Sequence, residues 1–293
     1  MSNAKKFRAL LDEGAMVVAP GAIDCLTGRL IEQAGFPAVY MTGAGTSATY
    51  GYPDYGLLTM TEMVSNAARI ARSVDIPVIS DADTGYGNEL NVFRCVEEFE
   101  RSGVAAIQIE DQVFPKRCGH VDEKEVIGRE DFIAKIRAAS HAKRSRDFSI
   151  IARTDARAVA GFDEAISRAN AALENGADIA FVEAMQGIEE VSEVPKRVKG
   201  RCLLNLVRGG KTPDLSVADA REMGYAMVIM PGLLIDGMVP YCDRILEEAM
   251  LTGRQPAVEG APSPKKFFAR FGAEEWDKRR SMFRDSPDRV RGI

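Results

Sequence analysis

Histidine is nearly missing from this chain: of 293 residues, only two, His120 and His141, carry an imidazole. A three-histidine metal centre is therefore excluded within one copy. Paired cysteines are missing as well. Cys25, Cys95, Cys118, Cys202 and Cys242 stand at wide, unpatterned spacing, and no CxxC occurs. An odd, scattered set argues against a disulfide framework or a zinc ribbon, and for reduced thiols in the cytoplasm. No apolar run reaches the roughly 18 residues that a membrane span requires. Residues 1–13 have charges but no apolar core, so no signal peptide is expected. Nor is there a basic block. Acids and bases are interspersed and the formal net charge is -5, a poor match to nucleic acid or anionic lipid.

What is present is a rhythm. Short apolar runs at 16–20, 38–43, 77–83, 105–111, 148–155, 179–184, 202–207 and 226–231 alternate with longer amphipathic segments. Asp24, Thr59 or Thr61, and Ser216 stand where helix N-caps belong. The runs lack strict alternation, so they read as parallel strands buried on both faces. Eight strand–helix pairs predict an α/β fold, a (β/α)₈ TIM barrel. The competing architecture, an open doubly wound sheet, calls for a Gly-rich phosphate turn after the first strand, and Pro20-Gly21-Ala22-Ile23-Asp24 does not supply one. A Gly/Pro stretch near 259–264 predicts a boundary between a catalytic barrel, 1–258, and a helical C-terminal extension, 259–293. The aromatic residues of that extension need a surface, on the barrel or on a second subunit.

In such a barrel the C-terminal strand ends carry the site. Here those ends read Thr42-Gly43, Asp81-Ala82-Asp83, Glu110-Asp111, Arg153-Thr154-Asp155, Glu183, Asn205 and Pro231. Asp81 and Asp83 alternate, so strand geometry would point both to one side, next to Glu110. An isolated Asp-x-Asp is more often a cap or turn; three carboxylates on adjacent strands favour a hard cation, Mg²⁺ or Mn²⁺, over zinc. Arg153 and Asn205 suit an anionic, oxygen-rich substrate, and Arg153 can equally pair Glu183 or Asp155. The Gly43/Gly45 segment is either an amide-lined carboxylate cradle or a tight loop. Beyond Glu110 lies Pro115-Lys116-Arg117-Cys118-Gly119-His120, where the flanking cations would pull the thiol toward thiolate. His141 falls in a helical stretch and reads as surface.

Lys116-Arg117-Cys118-Gly119-His120, together with Asp81-Ala82-Asp83-Thr84-Gly85-Tyr86-Gly87, resembles the isocitrate lyase / phosphoenolpyruvate mutase superfamily, in its short lyase branch of 2,3-dimethylmalate and 2-methylisocitrate lyases. The resemblance runs over nearly the whole chain. It implies a TIM barrel whose last helix is exchanged between subunits of a homotetramer, a Mg²⁺ ion, and small 2-hydroxy or 2-oxo carboxylates as substrates. It further implies that Asp83 ligates the metal while Asp54, Asp81 and Glu110 hold its waters. Thr42, Gly43, Ala44 and Arg153 would clamp the pyruvate-like half, with Asp54, Asn205 and Thr212 also at the substrate. Lys116, His120, Arg153 and Glu183 would line the reacting centre, and Cys118 would be the acid/base on a gating loop. The expected reaction is a retro-aldol (Claisen-type) C–C cleavage to pyruvate plus a carboxylic acid, with Cys118 protonating the departing carbon. Oxaloacetate decarboxylation or hydrolysis, or carboxyphosphoenolpyruvate phosphonomutase chemistry, could run on the same platform. Arg208 stands where the superfamily's seventh-strand motif usually has Glu, which would place a cation near the distal end of the substrate.

Overall fold

Eight apolar runs become eight parallel strands: β1 (Val17–Ala22), β2 (Val39–Met41), β3 (Val78–Asp81), β4 (Ala106–Glu110), β5 (Ser149–Thr154), β6 (Ile179–Val182), β7 (Cys202–Asn205) and β8 (Met227–Met230). Each pairs with its neighbours in sequence, and β8 pairs back onto β1 with Val17 opposite Met227, closing the barrel. This computed structural model describes residues 1–120 and 123–284. The expected (β/α)₈ architecture is what it shows.

The helices follow the caps read from sequence. In chain order they are α1 (Asn3–Asp12), α2 (Cys25–Gln33), α3 (Gly43–Thr49), α4 (Met60–Ser73), α5 (Glu89–Ser102), α6 (Arg129–Ala142), α7 (Ala156–Ala160), α8 (Phe162–Glu174), α9 (Ile188–Arg197), α10 (Val217–Glu222), α11 (Leu233–Thr252), α12 (Pro264–Ala269) and α13 (Ala273–Arg284). Asp24, Thr59 and Ser216 each close a capping box, satisfying amide N–H groups that a helix start leaves unpaired. His141 is exposed near the end of α6, as expected.

Strand residues of one phase face the helices. Val39, Met41, Val78, Ile107, Ile109 and Ile150 pack with Ile70, Phe99, Phe132 and Ile136 of α4, α5 and α6. The other phase fills the barrel. Ala19, Tyr40, Ile79, Ile151, Phe181, Leu203 and Ile229 form its interior, and Phe7 and Leu11 of α1 join the same cluster. Helix α1 was not anticipated. Its Ala4, Phe7 and Leu11 lie on one buried stripe, and Phe7 is fully buried. Burying such a side chain contributes about 1.5–3 kcal/mol.

Backbone packing groups the chain into two units, Met1–Met238 and Val239–Ile293, that meet within α11 in sequence. None of the residues of α11, α12 or α13 is buried. Within the second unit Leu246, Met250, Leu251, Phe268, Trp276, Met282 and Phe283 are all exposed. Positions 285–293 of the expected extension lie outside the described residues. No helix among the described residues is long and apolar enough to cross a membrane.

Candidate active site

The interior phase of the strands turns polar at one end. Tyr40, Asp81, Gln108, Glu110, Arg153, Glu183 and Asn205 are all buried there, around a cavity of ≈ 290 Å³. Of the residues expected at the site, Thr42, Ala44, Asp54, Asp81, Cys118, His120, Arg153, Glu183 and Asn205 line this cavity. Asp83, Glu110 and Lys116 sit just behind that lining, joined to it by ion pairs. Lys116 Nζ bonds Asp54 and approaches Asp83 Oδ1 at 2.9 Å, and Arg153 Nη1 lies 3.2 Å from Glu110 Oε2.

Asp83 does not reach this place by strand alternation. Strand β3 ends at Asp81, and Asp83 adopts φ +48°, the left-handed region uncommon for residues other than glycine. Its N–H donates to Asp81 Oδ1 at 3.0 Å, so the turn folds the two carboxylates together. The result is crowded negative charge. Burial, then Asp83, pushes Asp81 up to about 6. Burial also holds the Glu110 carboxyl far above its ordinary range, more than Arg153 and Lys116 can offset. The same carboxylates keep Lys116 firmly protonated, although its burial favours the neutral amine.

Several oxygens in this cluster are orphans. Asp83 Oδ1 and both carboxylate oxygens of Glu110 are buried without a hydrogen-bond partner, because the cations near them are not aligned as donors. Buried polar atoms are rarely left so. Unpaired hard oxygens fit Mg²⁺ or Mn²⁺. Among the described residues, no three Asp, Glu, His or Cys side chains converge closely enough to cage an ion unaided. That arrangement suits a cation that keeps several waters in its own shell.

The segment after β4 is an antiparallel excursion. Ile127 N–H donates to Asp111 O and Val113 N–H to Glu125 O, both at 2.9 Å, pinning its base. The side-chain amide of Gln112 bonds Arg117 through both its nitrogen and its oxygen, at 2.8 and 3.1 Å. Cys118, Gly119 and His120 then reach over the cavity. The His120 Nδ1 accepts from Lys211 N–H at 3.1 Å, which leaves the ring proton on Nε2, 3.4 Å from Glu183 Oε1. Burial lowers the imidazole's proton affinity, so His120 is neutral near pH 7.

Cys118 differs from its expectation. Its flanking cations do not make it a thiolate. Lys116 is committed to Asp54 and Asp83, and Arg117 turns outward to Glu123. Burial therefore dominates and raises the thiol above its ordinary value, against a bond from the His120 amide. A protonated thiol faces the cavity.

Three more expectations change. The Gly43/Gly45 segment is not a loop but the short helix α3, capped by the Thr42 hydroxyl, so its first amides stand at a helix N-terminus. Gly43 is required there because a Cβ would sit 2.5 Å from Asp81 Oδ2. Asn205 turns its amide nitrogen to Glu183 Oε2 at 3.0 Å and leaves Oδ1 buried and unpartnered, so its spare capacity is that of an acceptor. Arg208 is exposed and lines a separate groove with Pro213 and Asp214, so the central cavity gains no distal cation. Thr212 is buried with its hydroxyl unpartnered, outside the cavity lining.

Arg153 holds both roles that its position allowed. It makes a two-pronged bond to Asp155 (2.9 and 3.1 Å), lies 3.6 Å from Glu183, and still lines the cavity. Sequence reasoning passed over several groups. The Tyr40 hydroxyl donates to Gln108, whose amide reaches Asp81 at 3.4 Å. Phe181 carries the Arg153 guanidinium over its ring at 5.4 Å. All three lie on the inward phase of their strands, which is the signal that could have found them. Val207 and Ile235 close the apolar side of the cavity. Lys124, buried and bonded to Asp155, had no sequence signal at all.

The phosphoenolpyruvate phosphomutase family model matches residues 7–250. A 2,3-dimethylmalate lyase of Eubacterium barkeri is 50% identical over 232 residues, covering 79% of this chain and 80% of that protein. A 2-methylisocitrate lyase of Aeropyrum pernix is 42% identical over 273 residues, 93% of this chain and 88% of the relative. Among solved structures, a crystal structure of 2,3-dimethylmalate lyase superposes with a TM-score of 0.90 at 38% identity, over 95% of this chain and 94% of that one. With a family model matched over most of the chain, relatives of this identity and coverage, and a shared fold, the chain belongs to the phosphoenolpyruvate mutase/isocitrate lyase superfamily.

Proposed function

We propose that the chain is a divalent-metal-dependent carbon–carbon lyase that cleaves a methyl-substituted 2-hydroxy dicarboxylate of the 2,3-dimethylmalate type to pyruvate and a second carboxylic acid. The observation that carries this choice is the two-sided cavity. One side holds Arg153, Asn205 and the carboxylate cluster; the other is walled by Val207, Ile229, Pro231 and Ile235. Methyl groups fit that apolar wall. The third carboxylate of a methylisocitrate-type tricarboxylate would meet aliphatic carbon and Asp236 there, with no cation besides Arg153 among the described lining residues.

Asp83 would ligate Mg²⁺, with Asp54, Asp81 and Glu110 holding its waters. Bound there, the ion supplies Lewis-acid polarisation of the substrate's 2-hydroxyl and adjacent carboxylate. The Arg153 guanidinium binds a carboxylate of the substrate. The unpartnered Asn205 Oδ1 accepts from a substrate hydroxyl. The Glu183 carboxylate, which lines the cavity, takes the proton of the 2-hydroxyl; the C2–C3 bond then breaks, the C2 oxygen becomes the pyruvate carbonyl, and the electron pair passes to the departing acid as an aci-carboxylate. Lys116 and Arg153 offer positive charge to that species. The Cys118 thiol, kept protonated by burial, gives its proton to the carbon. General acids of this kind contribute about 10²–10⁴-fold.

The test is a substrate panel of malates, 2,3-dimethylmalate, citramalate, isocitrate, 2-methylisocitrate and oxaloacetate with Mg²⁺, following pyruvate, glyoxylate and oxalate. Pyruvate from 2,3-dimethylmalate should dominate; glyoxylate from isocitrate, or oxalate from oxaloacetate, as the main product would overturn the choice. Cys118→Ser should bind product and turn over at least about 100-fold more slowly. Near-normal pyruvate release by that variant removes Cys118 from the mechanism. We also read the exposed apolar residues after Met238 as the face covered by another copy, in a homotetramer of helix-exchanged dimers. A monomer by light scattering at micromolar concentration refutes that assembly.

A further inference from the structure

Lys124 is a lysine with almost no contact with water: its side chain is 1% exposed, and the Asp155 carboxylate it meets at 3.0 Å is 0% exposed. The same Nζ also donates to the Gly119 carbonyl. Asp155 is shared. On its other side it accepts both prongs of Arg153. Burial would raise this carboxyl, but Arg153 and Lys124 outweigh burial and hold it below its ordinary range. A chain of contacts therefore runs from Arg153, which lines the cavity, through Asp155 and Lys124 to the peptide that joins Gly119 to His120, one residue past Cys118.

We propose that Lys124 is a positioning residue for Cys118, a buried clasp that sets the height of the thiol over the cavity and couples that height to what Arg153 binds. The coupling has a direction. With the cavity empty of anions, Arg153 and Lys124 divide one carboxylate. An incoming substrate carboxylate draws charge and hydrogen bonds from Arg153, so more of Asp155 remains for Lys124. The hold on the Gly119 carbonyl tightens when substrate arrives, and the proton donor is brought to rest only then. The base of the excursion is already fixed by its ladder bonds and by Gln112, so the clasp acts on the tip alone. This inference rests on the reading of Cys118 as proton donor, but its main test does not use turnover.

That test is the alkylation rate of Cys118 by iodoacetamide, read by peptide mass spectrometry, with and without Mg²⁺ and oxalate. In the wild-type protein oxalate should slow alkylation about tenfold. In Lys124→Met the rate should rise about tenfold and oxalate protection should vanish, while oxalate affinity by calorimetry stays within about threefold. The kcat should fall about 100-fold with KM nearly unchanged, as for a reacting group displaced by about 1 Å. Lys124→Gln, which can serve one acceptor of the two, should lie between; it carries the test if Lys124→Met fails to fold. Wild-type alkylation rates with intact protection in the folded variant overturn the proposal. A wild-type protein protected by oxalate yet inactive on every diacid would defeat the lyase reading and leave this one standing.

Discussion

Replacing Gly119 with alanine measures how closely the excursion's tip must sit. A Cβ at that position would lie 2.4 Å from Arg153 Nη2 and 2.6 Å from Glu183 Cγ, where ordinary contact begins at 3.4 Å. Neither neighbour can yield cheaply. Arg153 Nη2 is bonded to Asp155 at 3.1 Å, and Glu183 is buried and bonded to Asn205. The tip must therefore rise by about 1 Å, taking Cys118 with it. Gly119 does not occupy the left-handed region, so alanine brings no backbone strain to confuse the result. A misplacement of about 1 Å costs on the order of 100-fold in rate, close to 3 kcal/mol of transition-state stabilisation. The tip belongs to none of the hydrophobic clusters, so stability should barely change. Steady-state kinetics on the preferred diacid should show kcat down about 100-fold with Tm within a few degrees of wild type. A Gly119→Ala enzyme within about threefold of wild-type kcat would mean that the tip does not rest on Arg153 and Glu183 during turnover, and the geometry argued for Cys118 would fail with it.

The remaining predictions concern pH and metal. Because burial raises the Cys118 thiol above 9.0, its protonated form persists through neutral pH, and kcat should stay level to about pH 9 before falling; a kcat that rises with ionisation of a thiol below pH 8 would restore the thiolate reading. Asp81 and Asp111 are both raised from 3.8 to about 6, so their contribution to stability is complete below about 3.8 and is lost as pH rises through about 6. Asp155, held low by Arg153 and Lys124, works oppositely and is lost only as pH falls below its ordinary range. Metal-free protein should therefore melt highest near pH 4, lose up to about 3 kcal/mol for each of Asp81 and Asp111 as pH rises from about 4 to about 6, and change little from these groups between there and pH 8. Added Mg²⁺ should raise Tm more at pH 8, where it competes with no protons, than at pH 5; equal shifts, or a metal-free Tm that climbs to pH 8, would refute the assignment of the cluster.

Most of the barrel was legible because its signals are local. Strand runs and helix caps announce themselves within a few residues, and the strands and principal helices lie within a residue or two of where the pattern placed them. What was missed required the third dimension. Helix α3 contains Gly43 and Gly45, poor helix formers, and holds because Thr42 caps it and Asn66 bonds the Thr46 hydroxyl. The cluster of Asp81 and Asp83 was found for the wrong reason: alternation ends at Asp81, and a left-handed turn does the rest. Arg208 and Cys118 mislead in the same way. Proximity along the chain says that a cation is near, but the fold decides what that cation is bonded to. Arg208 faces solvent, Arg117 faces Glu123, and Lys116 is consumed by carboxylates.

That last point extends to the whole site. Asp54, Asp81, Asp83, Glu110, Asp155 and Glu183 crowd one barrel end, and among the described residues Lys116, Lys124 and Arg153 are ion-paired to them. The protein meets part of the deficit by letting Asp81 and Glu110 hold protons more tightly, not by adding basic residues. A cavity built that way repels a dianionic diacid. Adding permanent cations would cure the repulsion but would also retain both carboxylate products after cleavage. A deficit made good by an exchangeable divalent cation would avoid that trap, because affinity for the anion would then depend on an ion whose occupancy is itself set by pH and concentration. The orphaned oxygens of Asp83 and Glu110 are where such an ion would be felt first. Lys116, ion-paired to Asp54 and Asp83, stands beside them. Kept protonated by Asp54, Asp83, Glu110 and Asp81, that lysine is fixed positive charge at the barrel end where the carboxylates gather, the kind of charge that stabilises a developing anion.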